Sequence, residues 1–359
     1  MVRFSKLLIY ILLSLLPLDG YCCTSFIVSG SVRADGRPLM LKHRDSGCLD
    51  VRMEWFRGPK YTFTGLVNSP SEGGEVWTGT NSAGLSVMNT ATYDLKDDDI
   101  PQSEMDREGI MMFDVLGKCA TVSDFKAYLD TLPKPWGVEA NFGLVDAHGG
   151  AAYFEVNNHS YTMIDVASEP GGYMVVTNFT RTGRVEDRKG VDRYVKACGV
   201  MRGLDVATIG HKEVFKEFSR SYEPILRDIT SCSIVIEGVG EGESPSGVVT
   251  WAIVGSPSNC FYFPLLERGF DSVPFFMRKT SGKANCEICD MSLGLKDELG
   301  LNPGCVPGLE EIERYVDAEF SPEMSLRRYE RMAEKTFAKF SALYYGNVNH
   351  KIAESDKND

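Results

Sequence analysis

The first chemistry-bearing stretch of the chain reads Cys22-Cys23-Thr24-Ser25-Phe26-Ile27-Val28-Ser29-Gly30, then a turn, then Leu39-Met40-Leu41-Lys42-His43-Arg44-Asp45. A thiol on the first residue of a chain stands beside its own α-amine, whose ordinary pKa of roughly 7.7–8.0 suits a general base near neutral pH. The preceding residues offer a way to make Cys23 first. Arg3 and Lys6 give a positive start, Leu7 to Leu16 an apolar run, and Gly20-Tyr21-Cys22 the end of a secretory signal cut after Cys22. A cysteine at such a place also serves as a disulfide partner, and paired cysteines occur where lipoproteins are acylated. Tyr21 and Cys22, however, stand where lipid attachment usually has Gly, Ala or Ser. By type alone Cys23 is a nucleophile or a structural thiol.

Three further residues are weighed with it. Asp45 could hold the amine or the thiol in place, or simply cap the next turn. Asn89 sits inside an apolar strand, Leu85 to Ala91, where an amide needs a partner or a purpose. Asn178 follows the apolar run Val175-Val176-Thr177, a place suited either to donating to an oxyanion or to making a turn. Asn81 and His148 fall in turn sequences and read as structural and solvated respectively. Cys286-x-x-Cys289 with Cys305 lacks the second Cys pair or nearby His that zinc needs, so a disulfide or free thiols is expected there.

The elements that would position these residues are mainly strands. Phe26 and Val28 alternate with Ile27 and Ser29, and Asp35-Gly36 signals a tight hairpin that returns Leu39 to His43 beside the first strand and Asp45 toward its start. Strands are expected at 61–67, 75–80, 85–92, 141–146, 151–156, 160–166, 173–177, 233–238, 248–255 and 261–266. After an acidic loop from Asp94 to Asp106, helices are expected at 109–120 and from a capping signal at Thr121 to Pro133. Others follow at 192–201 and 212–219. A last helix, capped by Ser321, with Pro322 in its first turn and stopped by Gly346, carries the stripe Tyr329, Met332, Thr336, Phe337, Phe340 and Leu343.

Composition bounds the class. Removing 22 of 359 residues leaves 337, enough for a sizeable core, and 43% hydrophobic with 25% charged residues is ordinary for a globular protein. A net charge of −12 argues against nucleic acid as a partner, and outside the leader no apolar run is long enough to span a bilayer. Ten cysteines suit a compartment where disulfides persist. Trp55, Tyr61, Tyr93 and Trp136 could line an apolar pocket or belong to the core.

Taken in order, the segments Cys23-Thr24-Ser25-Phe26, Asp35-Gly36-Arg37-Pro38-Leu39 with Lys42 to Asp45, Gly79-Thr80-Asn81 through Met88-Asn89-Thr90, Phe142 to Ala147 through Ala152 to Glu155, Thr177-Asn178, Asp192-Arg193-Tyr194 and Thr250-Trp251 through Gly255-Ser256-Pro257 resemble one family. It is the acyl-coenzyme A:6-aminopenicillanic acid acyltransferase family of N-terminal nucleophile hydrolases; choloylglycine hydrolases and penicillin V acylases are similar more distantly. The resemblance implies an α+β fold, a four-layer αββα sandwich of two antiparallel sheets, and cleavage or transfer at linear C–N amide bonds without cofactor or metal. Carried over by position, it implies Cys23 as nucleophile, Asp45 orienting amine and thiol, the Asn178 side chain with the backbone N–H of Asn89 as oxyanion hole, and Arg193 as the late basic residue supporting the site. Choloylglycine hydrolases place Arg three positions before the Asp. Here Lys42 stands there and Arg44 is adjacent, so either cation could tune the thiolate. The first hairpin is also similar to that of Cys-type dipeptidases, and nothing after about Arg268 carries a resemblance.

The expectation is therefore a signal at 1–22, a hydrolase domain at 23–270 and, at 271–359, an extension whose long helix packs on the body. The protein expected is an exported, periplasmic or extracellular amidase acting on a small-molecule amide through a thioester. An acyltransferase, a dipeptidase or a secreted binding protein on an inactive scaffold are the alternatives.

Overall fold

The computed structural model describes residues 22–95, 100–302 and 304–355, with side chains to 348. Residues 1–21, which hold all but the last residue of the expected signal, and Lys96 to Asp99 of the acidic loop lie outside the described residues. Two antiparallel sheets face each other. One has six strands in the order β10-β1-β2-β11-β12-β13: β1 (Cys23–Val28), β2 (Leu39–Asp45), β10 (Tyr173–Val176), β11 (Thr230–Glu237), β12 (Val249–Val254) and β13 (Phe263–Leu265). The other is a seven-stranded meander of β3 (Val51–Arg57), β4 (Thr62–Asn68), β5 (Thr78–Asn81), β6 (Ser86–Ala91), β7 (Ala140–Val145), β8 (Ala151–Val156) and β9 (Tyr161–Asp165). Every pairing among these strands is antiparallel.

Helices close both outer faces. On the seven-stranded sheet, α1 (Glu108–Lys118) and α2 (Val122–Thr131) lay Met112, Val115, Leu116 and Phe125 over Phe63, Leu85, Val87 and Phe142. The Thr121 hydroxyl and Asp124 form the capping box that the sequence signals. On the six-stranded sheet lie α3 (Val191–Arg202), a helical turn at His211–Glu213 running into a π-helical turn at Val214–Ser219, and α4 (Glu287–Leu299), α5 (Leu309–Glu319) and α6 (Leu326–Ser355). The layers thus stack helix, sheet, sheet, helix, the α+β sandwich expected. Between the sheets Gly143 is needed because a Cβ there would collide with Met88 and Ile27.

Most expected strands are present within a residue or two, while β3, α4 and α5 went unpredicted. The tail helix differs at both ends. Ser321 bonds Glu323 in a separate turn, and α6 begins after Ser325, whose carbonyl accepts from Arg328 and Tyr329. It runs through Gly346, because one glycine costs a helix only about 1 kcal/mol and open space surrounds that position. Its stripe is as read: Tyr329, Met332, Thr336 and Phe340 are buried, with Phe340 edge-on to Phe261 at 5.0 Å and the Tyr329 hydroxyl donating to the carbonyls of Pro264 and Ser272.

Candidate active site

The site starts from a register. In the β1–β2 pair, Cys23 lies opposite Arg44 and Ser25 opposite Lys42, so these four share one face. That face looks at the second sheet: Ser25 Oγ is 3.0 Å from Tyr153 Oη on β8, and Arg44 Nη2 donates to Asn68 Oδ1 on β4 at 2.9 Å. Thr24 and His43 point the other way, toward the helical layer, while Asp45, at the end of β2, lines the same cavity as Cys23. All seven residues of β2 are buried, four of them polar or charged, an arrangement that a strand kept only for packing would not carry.

Cys23, 4% exposed, lies in the wall of a cavity of about 520 Å³ between the sheets. Its backbone N–H donates to Asn178 Oδ1 at 2.8 Å. Arg193 Nη2 donates to the same oxygen at 2.6 Å, while Nη1 donates to Thr24 Oγ1 at 3.1 Å and to the Cys23 carbonyl. Two donors on one atom fix the orientation of the Asn178 amide, and its Nδ2 accordingly donates to Ala91 O at 2.7 Å. Arg193 occupies the first turn of α3, the end of a helix least favourable to a cation, so a specific contact has to hold it there. Gly190 makes room: its φ is +69°, and a Cβ would strike the Arg193 guanidinium.

Asp45 closes the other side. Its N–H donates to the Cys22 carbonyl at 2.8 Å, which fixes the residue that precedes Cys23. Its carboxylate accepts from Thr230 Oγ1 at 2.7 Å and pairs with Arg227 at 3.3 Å. Burial pushes the Asp45 carboxyl up to about 6, against the pull of Thr230, Arg193 and Arg227.

Lys42 Nζ donates to the backbone carbonyl of Asn89 and, at 3.0 Å, to Asn89 Oδ1. Burial lowers the Lys42 pKa, and the charge and hydrogen bonding of Cys23 pull it back up. Arg44 is turned instead toward Asn68, toward Ser231 at 3.0 Å and over the Trp77 ring at 5.0 Å. Of the two cations, Lys42 is the one engaged with the thiol.

The structure thus brings Cys23, Asp45, Asn89, Asn178 and Arg193, from five separate stretches of chain, to one place. Sequence reasoning gave no role to Thr24, Arg227 and Thr230, whose part shows only in their hydrogen bonds and ion pair. It also missed Glu108 and Glu139 in the cavity wall: Glu108 in the first turn of a helix reads as an ordinary complement to the dipole. Of the aromatic residues suggested for a pocket, Tyr93 lines this cavity and Trp55, Tyr61 and Trp136 do not; Trp77 does. Asn81 is a turn builder, its Oδ1 accepting from Ala83 and Leu85, and His148 is exposed. All ten cysteines are free thiols, and among the described residues no group of three His, Cys, Asp or Glu is placed to hold a metal. Nor is any described helix long and apolar enough to cross a membrane.

No protein-family model matches the chain, and no curated protein matches it. Solved structures with a similar chain course include an N-acylethanolamine-hydrolyzing acid amidase ortholog from Caenorhabditis elegans, at 16% identity and a TM-score of 0.49 over 60% of this chain and 92% of that one. Penicillin V acylase from Agrobacterium tumefaciens is similar at 17% identity and 0.43, covering 68% and 86%. Conjugated bile acid hydrolase from Clostridium perfringens is similar at 13% and 0.44, covering 68% and 92%. At identities and scores this low the likeness is one of fold, and the chemistry is read from the residues themselves.

Proposed function

We propose that the chain is an exported amide hydrolase whose nucleophile is the thiol of Cys23 once residues 1–22 are removed, and that it cleaves a linear C–N bond through a thioester. The observation that carries the reading is the clamp on Cys23: its nitrogen on Asn178, its carbonyl on Arg193 and its thiol beside Lys42 at the wall of a cavity. A structural thiol needs none of this.

Cleavage after Cys22 turns the Cys23 N–H into an α-amine already aimed at Asn178 Oδ1. The amine takes the thiol proton, and the Lys42 ammonium stabilises the resulting thiolate. The thiolate attacks the substrate carbonyl carbon, and the carbonyl π electrons move onto oxygen. The donors proposed for that oxyanion are the Asn89 backbone N–H and the Asn178 amide, a contact class in which one donor is worth roughly 3–4 kcal/mol. The intermediate collapses, the C–N bond breaks, and the leaving nitrogen takes the proton held by the Cys23 amine. Water then attacks the thioester carbonyl, giving up its proton to the same amine, and the freed acid leaves the thiol restored. Asp45 and Arg193 position Cys23 throughout.

The test is acylation. Protein beginning at Cys23, mixed with an activated acyl p-nitroanilide and quenched within one turnover, is expected to carry one acyl group on the peptide that contains Cys23. Cys23→Ala should carry none and hydrolyse nothing measurable. Full turnover by that variant, or acylation only at another residue, sinks the reading.

A further inference from the structure

We propose that the substrate of this site is a cationic amide, one that bears a protonated amine or a guanidinium group on the part that fills the cavity. The inference rests on the reading of Cys23 as nucleophile and adds a substrate class to it.

The cavity wall away from Lys42 and Arg44 is acidic. Glu108, only 7% exposed, accepts the Glu139 N–H on Oε1 at 3.0 Å, and Glu139 Oε1 accepts the Leu95 N–H at 3.0 Å. Asp106 stands two residues before Glu108, and Glu75 two residues before Trp77; all four carboxylates line the same space as Cys23. Tyr93 spans the interval, since Cys23 and Asp106 both act on its phenol. Among the described residues no cation lies within ion-pair distance of Glu75, Glu108 or Glu139, although Arg184 reaches Glu139 electrostatically.

A second feature of the wall is independent of these charges. The Thr92 side chain is 3% exposed, and its hydroxyl has no partner among the described residues; neither has the buried indole N–H of Trp77. Thr92 donates its own backbone N–H to the Glu139 carbonyl at 3.1 Å, so the orphan hydroxyl lies beside the acid pair. Polar groups lodged in the protein without partners cost stability and are kept where a ligand uses them. Burial also pushes both Glu108 and Glu139 up to about 7, against the backbone N–H groups they accept and, for Glu139, the pull of Arg184. An ammonium group supplies a positive charge there and can donate to the carboxylates and the hydroxyl together. An uncharged chain filling the same space would strip water from the acids and return nothing, which is discrimination by repulsion as well as attraction.

The experiment uses protein beginning at Cys23 and two matched pairs of amides. One pair varies the acyl side: 6-aminohexanoyl against heptanoyl p-nitroanilide. The other varies the amine side: N-(4-aminobutyl)hexanamide against N-pentylhexanamide. In at least one pair the cationic member should be favoured about tenfold or more in kcat/KM, roughly the effect of one unscreened ion pair. The double variant Glu108→Gln with Glu139→Gln, which keeps an acceptor oxygen for each backbone N–H, should bring that ratio within about twofold, chiefly through KM. Should the variant not fold, the wild-type ratio decides by itself. Neutral members hydrolysed as well as or better than cationic ones in both pairs, with Cys23 still acylated, overturn the substrate class and leave the nucleophile standing. Hydrolysis of these amides without acylation of Cys23 overturns both.

Discussion

At the scale of single residues the account depends on who holds Cys23. Asn178 takes both the Cys23 nitrogen and Arg193 on one oxygen, so removing it loosens amine and guanidinium together. Asn178→Ala is expected to lower kcat by about 10²-fold or more with a smaller change in KM, as seen when a contact made in the transition state is lost. Lys42→Met should cost more than Arg44→Lys in the rate of Cys23 alkylation, because Lys42 acts on the thiol and Arg44 on Asn68 and Ser231. Asp45, raised to about 6 by burial, has to be ionised to face an ammonium group. As pH falls through 6 its carboxylate is lost, so kcat/KM should show an acid limb there besides that of the α-amine, and Asp45→Asn should be slow and lack the limb. Cys23, Asp45, Asn89, Asn178 and Arg193 were legible in the sequence because each stands in a resembling segment. Lys42 was visible but ambiguous: Lys42 and Arg44 share one face of β2, and they are told apart only by the partners that turn Arg44 toward Asn68 and Ser231, which no motif encodes.

At the scale of elements, β2 carries Lys42, Arg44 and Asp45 into the cavity wall and also holds a buried histidine that makes stability depend on pH. His43 is wholly buried, with Nε2 3.2 Å from the Ile225 carbonyl and Nδ1 unpartnered. Burial lowers its pKa to about 3, while the unfolded chain titrates near 6.5. The folded state therefore refuses a proton that the unfolded state accepts, and this contribution to stability is lost as pH falls from 6.5 toward 3. Glu108 and Glu139, raised to about 7, act in the opposite sense between 7 and 4.5. The clean readout is thus a difference: the stability gap between the wild type and His43→Asn should narrow by up to about 4 kcal/mol between pH 7 and 3. A gap that stays constant with pH would mean that His43 carries its proton in the fold. The strands were legible from alternation and turn residues, as at Asp35-Gly36. The π-helical turn at Val214–Ser219 and the late start of α6 were not, because they are set by packing on the six-stranded sheet, and a lone Ser321 or Gly346 does not outweigh it.

At the scale of the whole molecule, the segment that follows β13 belongs to the same core as the strands. Phe261, Phe263, Phe276 and Phe340 are fully buried in one cluster, so Phe340→Ala should cost about 3–5 kcal/mol and lower the melting temperature without changing KM in the folded fraction. That segment was opaque to sequence reading because the apolar positions of α4 and α5 acquire meaning only against β12 and α6. On the proposed function, the Cys23 nitrogen and sulfur at the cavity wall must both belong to a first residue for the chemistry to run. The most direct test is the intact mass and N-terminal sequence of the protein recovered from its producing cells and their medium, before and after a thiol alkylating agent. A mature chain that starts at Cys23, takes its first label there and loses amide hydrolysis as it does so is the predicted result. A mature chain that keeps Cys22 or anything before it, and hydrolyses amides nonetheless, contradicts the account.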